Sequence, residues 1–149
     1  MSFGYTGEIQ ESINIDTQSG WPQLSTGEFK QHRRIAEFYE EQAIADSLNR
    51  SVLEVQQQIT NAINKGYSIT EFEITNGVPQ LSDMQTSVYR AAIYSRSHSD
   101  LMGYFSTADQ KEAGNNKAQD EEQQKQILAQ SVRGVRLLLG LGRSGVHTL

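Results

Sequence analysis

The amino-acid sequence predicts an all-α fold, a small four-helix bundle with extended arms at both ends. Three observations lead to this prediction: apolar residues recur at helical spacing in four segments, capping residues precede helices, and glycines follow them. The expected bundle domain covers residues 24–139, between an N-terminal arm at 1–23 and a C-terminal arm at 140–149. A chain of 149 residues has the length of one domain and can bury a single core.

Composition places the chain on the polar side of globular proteins, with 36% hydrophobic and 21% charged residues. It contains no cysteine, which excludes disulfides and thiolate metal ligands. The N-terminus lacks the basic and apolar regions of a signal peptide, and apolar runs such as residues 137–139 are too short to span a bilayer. We therefore expect no membrane partner.

The net charge of −5 is unevenly distributed along the chain. Residues 125–149 carry four basic side chains and no acidic one, so the other nine basic and all 18 acidic side chains give residues 1–124 a charge of −9. The basic end either complements the dipole at the end of the last helix or docks on an acidic partner or nucleic acid. Four charges are too few for a nucleic-acid footprint on their own.

The N-terminal arm and the first two helices follow from local signals. Residues 2–23 lack a helical period, which predicts an extended arm with room for a short strand, and Trp21 is expected to anchor the core. Ser25 and Glu28 have the spacing of a capping box, which predicts a helix at about residues 26–36. The residues expected to face solvent on this helix are Lys30, Arg33 and Arg34.

A second helix is expected at about residues 40–64, because one stripe is apolar at spacings of three and four. The stripe consists of Ile44, Leu48, Val52, Val55, Ile59 and Ile63. Gly66 suits a helix stop. The connector at 67–81 is compatible with a short strand or an ordered loop, and its Asn76-Gly77 pair indicates a turn.

The third helix is expected to begin after the cap Ser82 and to extend to about Phe105. It carries two apolar stripes, which predict contacts on two sides, one in the core and one with a neighbouring subunit. The first stripe contains Met84, Val88, Ala91, Ala92, Ser95 and Met102. The second stripe, assigned to the subunit contact, contains Tyr89, Ile93, Leu101 and Tyr104.

The fourth helix is expected at about residues 115–139, since acidic residues fill its first turns and Gly140 follows it. Its predicted core stripe is Ile127, Leu128, Val132, Val135, and Leu138 or Leu139. Gly134 inside this helix costs about 1 kcal/mol relative to alanine, which favours close helix packing as its reason.

No group of residues in the sequence predicts a catalytic, cofactor or metal site, so an enzyme is not expected. The three histidines, His32, His98 and His147, are scattered and lack the paired spacing of metal ligands. The glycine-rich segment at 140–145 follows a helix and lacks the ending of a phosphate-binding loop.

Several local strings carry a family resemblance. The strongest is Tyr89-Arg90-Ala91-Ala92-Ile93-Tyr94, followed by Leu101, Tyr104 and Glu112-Ala113-Gly114. The fourth helix with Arg133, Val135 and Arg136 and the arm to Leu149 also match. A weaker match covers Trp21 to Ser25 and the helix after Leu48. In order and spacing they resemble the head-completion proteins of contractile-tailed phages, within the head–tail connector or adaptor group. The resemblance covers about residues 20–149 and departs from the family at the glutamine-rich residues 123–126.

The resemblance implies a connector-type bundle that forms a ring beneath the portal vertex, completes the DNA-filled head, extends the DNA channel and offers the tail a docking surface. The implied partners are the portal protein, tail or neck proteins, and the chain itself in a ring of about twelve copies. Double-stranded DNA would pass through without sequence-specific binding. The implied location is the neck of the virion, after synthesis in the host bacterial cytoplasm.

Related adaptors place their C-terminal segments against the portal. The resemblance therefore implies a portal-binding role for Leu141, Arg143, Val146 and Leu149. Two alternatives remain: a stopper or tail-terminator neck protein, which would be rich in strands, and a helical DNA-binding regulatory protein. The second would need a recognition helix rich in Lys and Arg, against which the acidic body argues.

Overall fold

The computed structural model describes residues 11–35, 39–108 and 117–142, without the side chains of 104–108 and 117–120. The described residues form four helices and two antiparallel pairs of two-residue strands, which confirms the all-α prediction. The helices are α1 (Thr26–Arg33), α2 (Glu41–Asn64), α3 (Asp83–Ala108) and α4 (Lys117–Leu138). The strands are β1 (Asn14–Ile15), β2 (Leu24–Ser25), β3 (Ile74–Thr75) and β4 (Val78–Pro79).

The segment before α1 lies against the bundle. Strand β1 pairs with β2 so that Ile15 stands opposite Leu24, and both side chains are buried in the core. Trp21 is also buried and stacks on Tyr89 with ring centroids 5.3 Å apart, as expected of a core anchor. The Ser25 side chain accepts a hydrogen bond from the Glu28 amide at 3.1 Å, the N-cap interaction expected from the sequence.

Lys30 on α1 is buried, although the sequence predicted that it would face solvent. Its ammonium group forms a 2.7 Å ion pair with Glu41 at the start of α2, which is also buried. The Glu41 carboxylate also accepts a hydrogen bond from the Thr26 hydroxyl, and Thr26 in turn accepts one from the Ile13 amide at 2.8 Å. This polar cluster therefore ties the N-terminal segment, α1 and α2 together.

Helix α2 and the connector follow the sequence closely. Five residues of the predicted α2 stripe are buried and Ile63 is half-buried. The helix ends at a glycine in the left-handed region, Gly66 with φ of 75°. Strands β3 and β4 are joined by Asn76 and Gly77, both with positive φ, which is the tight hairpin turn that this pair favours.

Helix α3 is the central helix and contacts the other three. Its start carries a complete capping box: the Gln85 amide donates to the Ser82 hydroxyl, and the Ser82 amide donates to the Gln85 side chain. Helices α3 and α4 pack closely, since a Cβ atom on Gly134 would lie 3.2 Å from the Cβ of Ala92. This contact confirms close packing as the reason for the glycine.

Helix α4 faces the core with most of its predicted stripe, since Ile127, Val135 and Leu138 are buried, as is Leu139 after the helix. Two members differ: Leu128 and Val132 are exposed, and Ser131 is buried instead. The prediction favoured the two apolar residues over serine. However, α3 and α4 pack closely, and the small side chain of Ser131 needs little space between them.

Candidate interaction surfaces

The structure buries most of the residues predicted to contact a neighbouring subunit. Tyr89, Ile93 and Leu101 belong to the core of the bundle, where each is at most 3% exposed. Ala92 and Ser95 of the first stripe are buried as well, whereas Met84 at its start is 79% exposed. Helix α3 is covered on several sides, because it contacts α1, α2 and α4. Tyr89, Ile93 and Leu101 therefore cannot reach a second subunit in this fold. The Tyr104 side chain lies outside the described residues.

Tyr89 has a structural task within the subunit. Its ring stacks on Trp21, and its hydroxyl accepts a 3.0 Å hydrogen bond from the Gln56 amide group, which also donates to Asp16 at 2.8 Å. Burial raises the pKa of the Tyr89 phenol, with a smaller contribution from the Asp16 carboxylate. Tyr89 therefore remains neutral and fastens the N-terminal segment to α2 and α3.

A second polar cluster joins α1 to α3 and α4. The Arg33 guanidinium donates to Nδ1 of His98 at 3.0 Å and lies within 3.4 Å of the Gln130 side-chain oxygen. Burial and the nearby positive charge of Arg33 lower the pKa of His98 to about 4. An imidazole that accepts a hydrogen bond from an arginine must be neutral, so the geometry and the pKa agree. Because its members lie on α1, α3 and α4, this cluster stabilises the packing of three helices.

The end of α4 fixes the point from which the C-terminal segment leaves the bundle. The Leu141 amide donates to the Arg136 carbonyl and the Gly140 amide to the Leu137 carbonyl, which together form a Schellman motif. Gly140 has φ of 78°, in the left-handed region. The Arg136 side chain donates to the Gly142 carbonyl at 2.6 Å, and Leu141 packs against the core.

The connector seals this end of α4. The amides of Ile69 and Thr70 both donate to the Leu139 carbonyl, at 2.8 and 3.0 Å. The approach is so close that a Cβ atom on Gly140 would lie 3.1 Å from the Thr70 backbone nitrogen. Of the predicted portal-binding residues, Leu141 is held at this end, while Arg143, Val146 and Leu149 lie outside the described residues.

Two exposed surfaces were not identified from the sequence. The first, the connector surface, consists of the exposed side chains Ile69, Glu71, Glu73 and Ile74. The second, the outer face of α4, consists of Lys125, Val132, Arg133 and Leu137. The alternation of apolar and acidic residues at 69–74 was the available signal for the first. The apolar spacing of α4 instead predicts that Val132 lies in the core, which hides the second surface from sequence reasoning.

Two further features of the described residues concern metal ions and membranes. Within residues 11–35, 39–108 and 117–142, no group of three or more His, Cys, Asp or Glu side chains could hold a metal ion. None of the helices described there has the length and apolar character needed to cross a membrane.

Comparison with known proteins identifies the family. Searches of curated proteins and of solved structures find no significant match to this chain. Residues 15–149, in contrast, match the sequence model of a family described as Phage head completion protein (GPL). The match begins at Ile15, which is also the buried residue of β1. Because it covers nearly the whole chain, the protein belongs to the phage head completion protein (GPL) family, whose members are structural components of the virion.

Proposed function

We propose that this head-completion protein forms a ring beneath the portal vertex of the DNA-filled head. The ring would extend the DNA channel and present the docking surface for the tail. The observation that carries the proposal is the family match over residues 15–149, which assigns the chain to head completion. The ring, the contact with the portal and the contact with the tail are our additions to this family assignment.

The end of α4 supports a role for the last residues in portal binding. Leu139–Gly142 are held by hydrogen bonds from the connector and from Arg136, so the segment that follows starts from a fixed position. An extended segment can add main-chain hydrogen bonds to an exposed strand of a partner while alternate side chains fill pockets. We assign this role to Leu141, Arg143, Val146 and Leu149 as a hypothesis.

The negative charge of residues 1–124 supports a channel whose wall does not bind DNA. Residues 1–124 carry a net charge of −9, with nine basic and 18 acidic side chains, and an acidic surface repels phosphates. In this proposal residues 24–139 form the body of each subunit and 1–23 and 140–149 flank it, with Ile15 and Trp21 of the first segment packed into the core of the body. The protein would be made in the bacterial cytoplasm and then occupy the neck of the virion.

Electron microscopy of particles made without the protein tests the proposal. We expect DNA-filled heads that lack tails, and we expect tailed particles to return when the wild-type chain is supplied from a plasmid. A complementing chain with a stop codon early in α1 is the matched control. Tailed, infectious particles in the absence of the protein would refute the proposed role.

A further inference from the structure

The connector surface and the outer face of α4 have matching chemistry. The connector surface presents two carboxylates, Glu71 and Glu73, between two apolar side chains. The outer face of α4 presents two cations, Lys125 and Arg133, beside two apolar side chains. No acidic residue follows Glu122, so this face is basic on a chain that is otherwise acidic.

Both surfaces expose apolar side chains, and their charged side chains form no ion pair within the described part of the chain. Ile69 is 71% exposed, Val132 47% and Leu137 66%. Among the residues that the structure describes, the ion pairs involve other side chains, and none includes Glu71, Glu73, Lys125 or Arg133. Each surface thus combines unpaired charges of one sign with apolar area that water covers in the free chain.

The helix face is longer than the connector surface. Lys125 and Leu137 are 12 residues apart on α4, a rise of about 18 Å. Residues 69–74 would reach about 17 Å if they were fully extended, but the chain bends at residues 69 and 70, so the connector surface is shorter than this. The connector surface of one copy can therefore cover part of the helix face of another.

We infer that these surfaces bind each other between copies of this chain, with the outer face of α4 on one subunit against the connector surface of the next. This inference rests on the proposed ring, because a head-to-tail contact uses two different surfaces of each subunit and can close into a ring. Charge complementarity identifies a second copy as the occupant: the cationic face of one chain meets the anionic connector of another.

Cysteine cross-linking tests the contact, since the natural chain has no cysteine and gives no background. Ile69→Cys and Val132→Cys are made in separate chains, mixed at high protein concentration and treated with a short bis-maleimide. The same mixture is used to complement particles that lack the protein. Gln42→Cys mixed with Val132→Cys is the control, because Gln42 is exposed in the first turn of α2, about 36 Å along this helix from Gly66.

We expect at least about tenfold more cross-linked pair from Ile69→Cys with Val132→Cys than from the control mixture, because the contact raises the effective thiol concentration. A single chain with both substitutions should give a ladder of multimers. A ladder that stops at the dimer would overturn the head-to-tail arrangement, as would Val132→Cys pairing with itself as efficiently as with Ile69→Cys.

Absence of the cross-linked pair in both solution and particles would overturn the contact altogether. The wild-type complementation result is scored separately in these experiments. Wild-type chains that restore tails while the pair is absent would refute this contact and leave the proposed function standing. If wild-type chains did not restore tailed particles, the proposed function would be refuted. The cross-link measured in solution would then decide by itself whether the contact between copies forms.

Discussion

Gly140→Ala should destabilise the protein far more than Gly66→Ala, although the two glycines have the same local role. Each follows a helix, closes a Schellman motif and has positive φ, 78° for Gly140 and 75° for Gly66. Their surroundings differ, because nothing lies within 4 Å of a Cβ on Gly66, whereas a Cβ on Gly140 would press on the connector.

The structure sets the size of the difference. An alanine in the left-handed region costs about 1–2 kcal/mol, and Gly66→Ala should show this cost alone. At Gly140 the Thr70 hydroxyl and backbone nitrogen would be 2.9 and 3.1 Å from the new Cβ, so the connector must move. This movement endangers the two hydrogen bonds to Leu139, each of which contributes about 1 kcal/mol. We therefore expect a total cost of about 3–4 kcal/mol for Gly140→Ala.

Thermal unfolding followed by circular dichroism measures both variants. At roughly 3 °C per kcal/mol for a chain of this length, Tm should fall by about 3–6 °C for Gly66→Ala and about 9–12 °C for Gly140→Ala. Hydrogen exchange at the Ile69 and Thr70 amides should also accelerate only in Gly140→Ala. Equal Tm values for the two variants would refute the close approach of the connector to α4.

Three further predictions concern other parts of the chain. Lys30→Met or Glu41→Leu alone should cost about 3–5 kcal/mol, because each removes the buried counter-charge of the other residue, whereas the double replacement should cost much less than the sum. Urea unfolding measures the three variants, and losses that simply add in the double variant would contradict this expectation. The His98 pKa of about 4 in the folded state lies below the unfolded value near 6.5, so the unfolded chain binds the proton first and stability should decline as pH falls from about 6.5 to 4. His98→Gln should flatten that part of the pH–stability profile, and an unchanged slope would exclude His98 as its source. Truncation after Gly142 should leave Tm nearly unchanged and strongly reduce co-purification with the portal protein; wild-type levels of the truncated chain on heads would exclude residues 143–149 as the anchor.

The sequence predicted those features that depend on local patterns. The α2 stripe, the cap at Ser82 and the Asn76-Gly77 turn each depend on residues within one or two turns of chain, and the structure confirms all three. Lys30 could not be placed in this way, because its burial depends on Glu41, 11 residues later and on another helix. A charged residue is buried only with such a partner, which local periodicity does not reveal.

The candidate surfaces were predicted less well for a related physical reason. An apolar stripe shows that a face is covered, but it does not show whether the cover is the same chain or another one. For Tyr89, Ile93 and Leu101 the cover is intramolecular, since α3 is enclosed by three other helices. Conversely, Val132 was assigned to the core although Ser131 occupies that place.

If both proposed contacts form, the connector would couple the subunit contact to the portal contact. Residues 69–70 hold the Leu139 carbonyl through their backbone amides, while most of the Ile69 side chain is exposed. A neighbouring subunit bound to the connector surface would therefore press on the same residues that fix the start of the C-terminal segment. Both contacts would then depend on the same placement of the connector against α4, so the two contacts should reinforce each other.

Gly140→Ala separates this coupling from simple loss of stability. Both glycine variants should remain folded at 25 °C, but only Gly140→Ala displaces the connector from α4. We therefore expect Gly140→Ala to reduce the Ile69→Cys to Val132→Cys cross-link and portal co-purification together, while Gly66→Ala preserves both. If Gly140→Ala weakened one contact and left the other at the Gly66→Ala level, the connector would not link them, and the two surfaces would act independently.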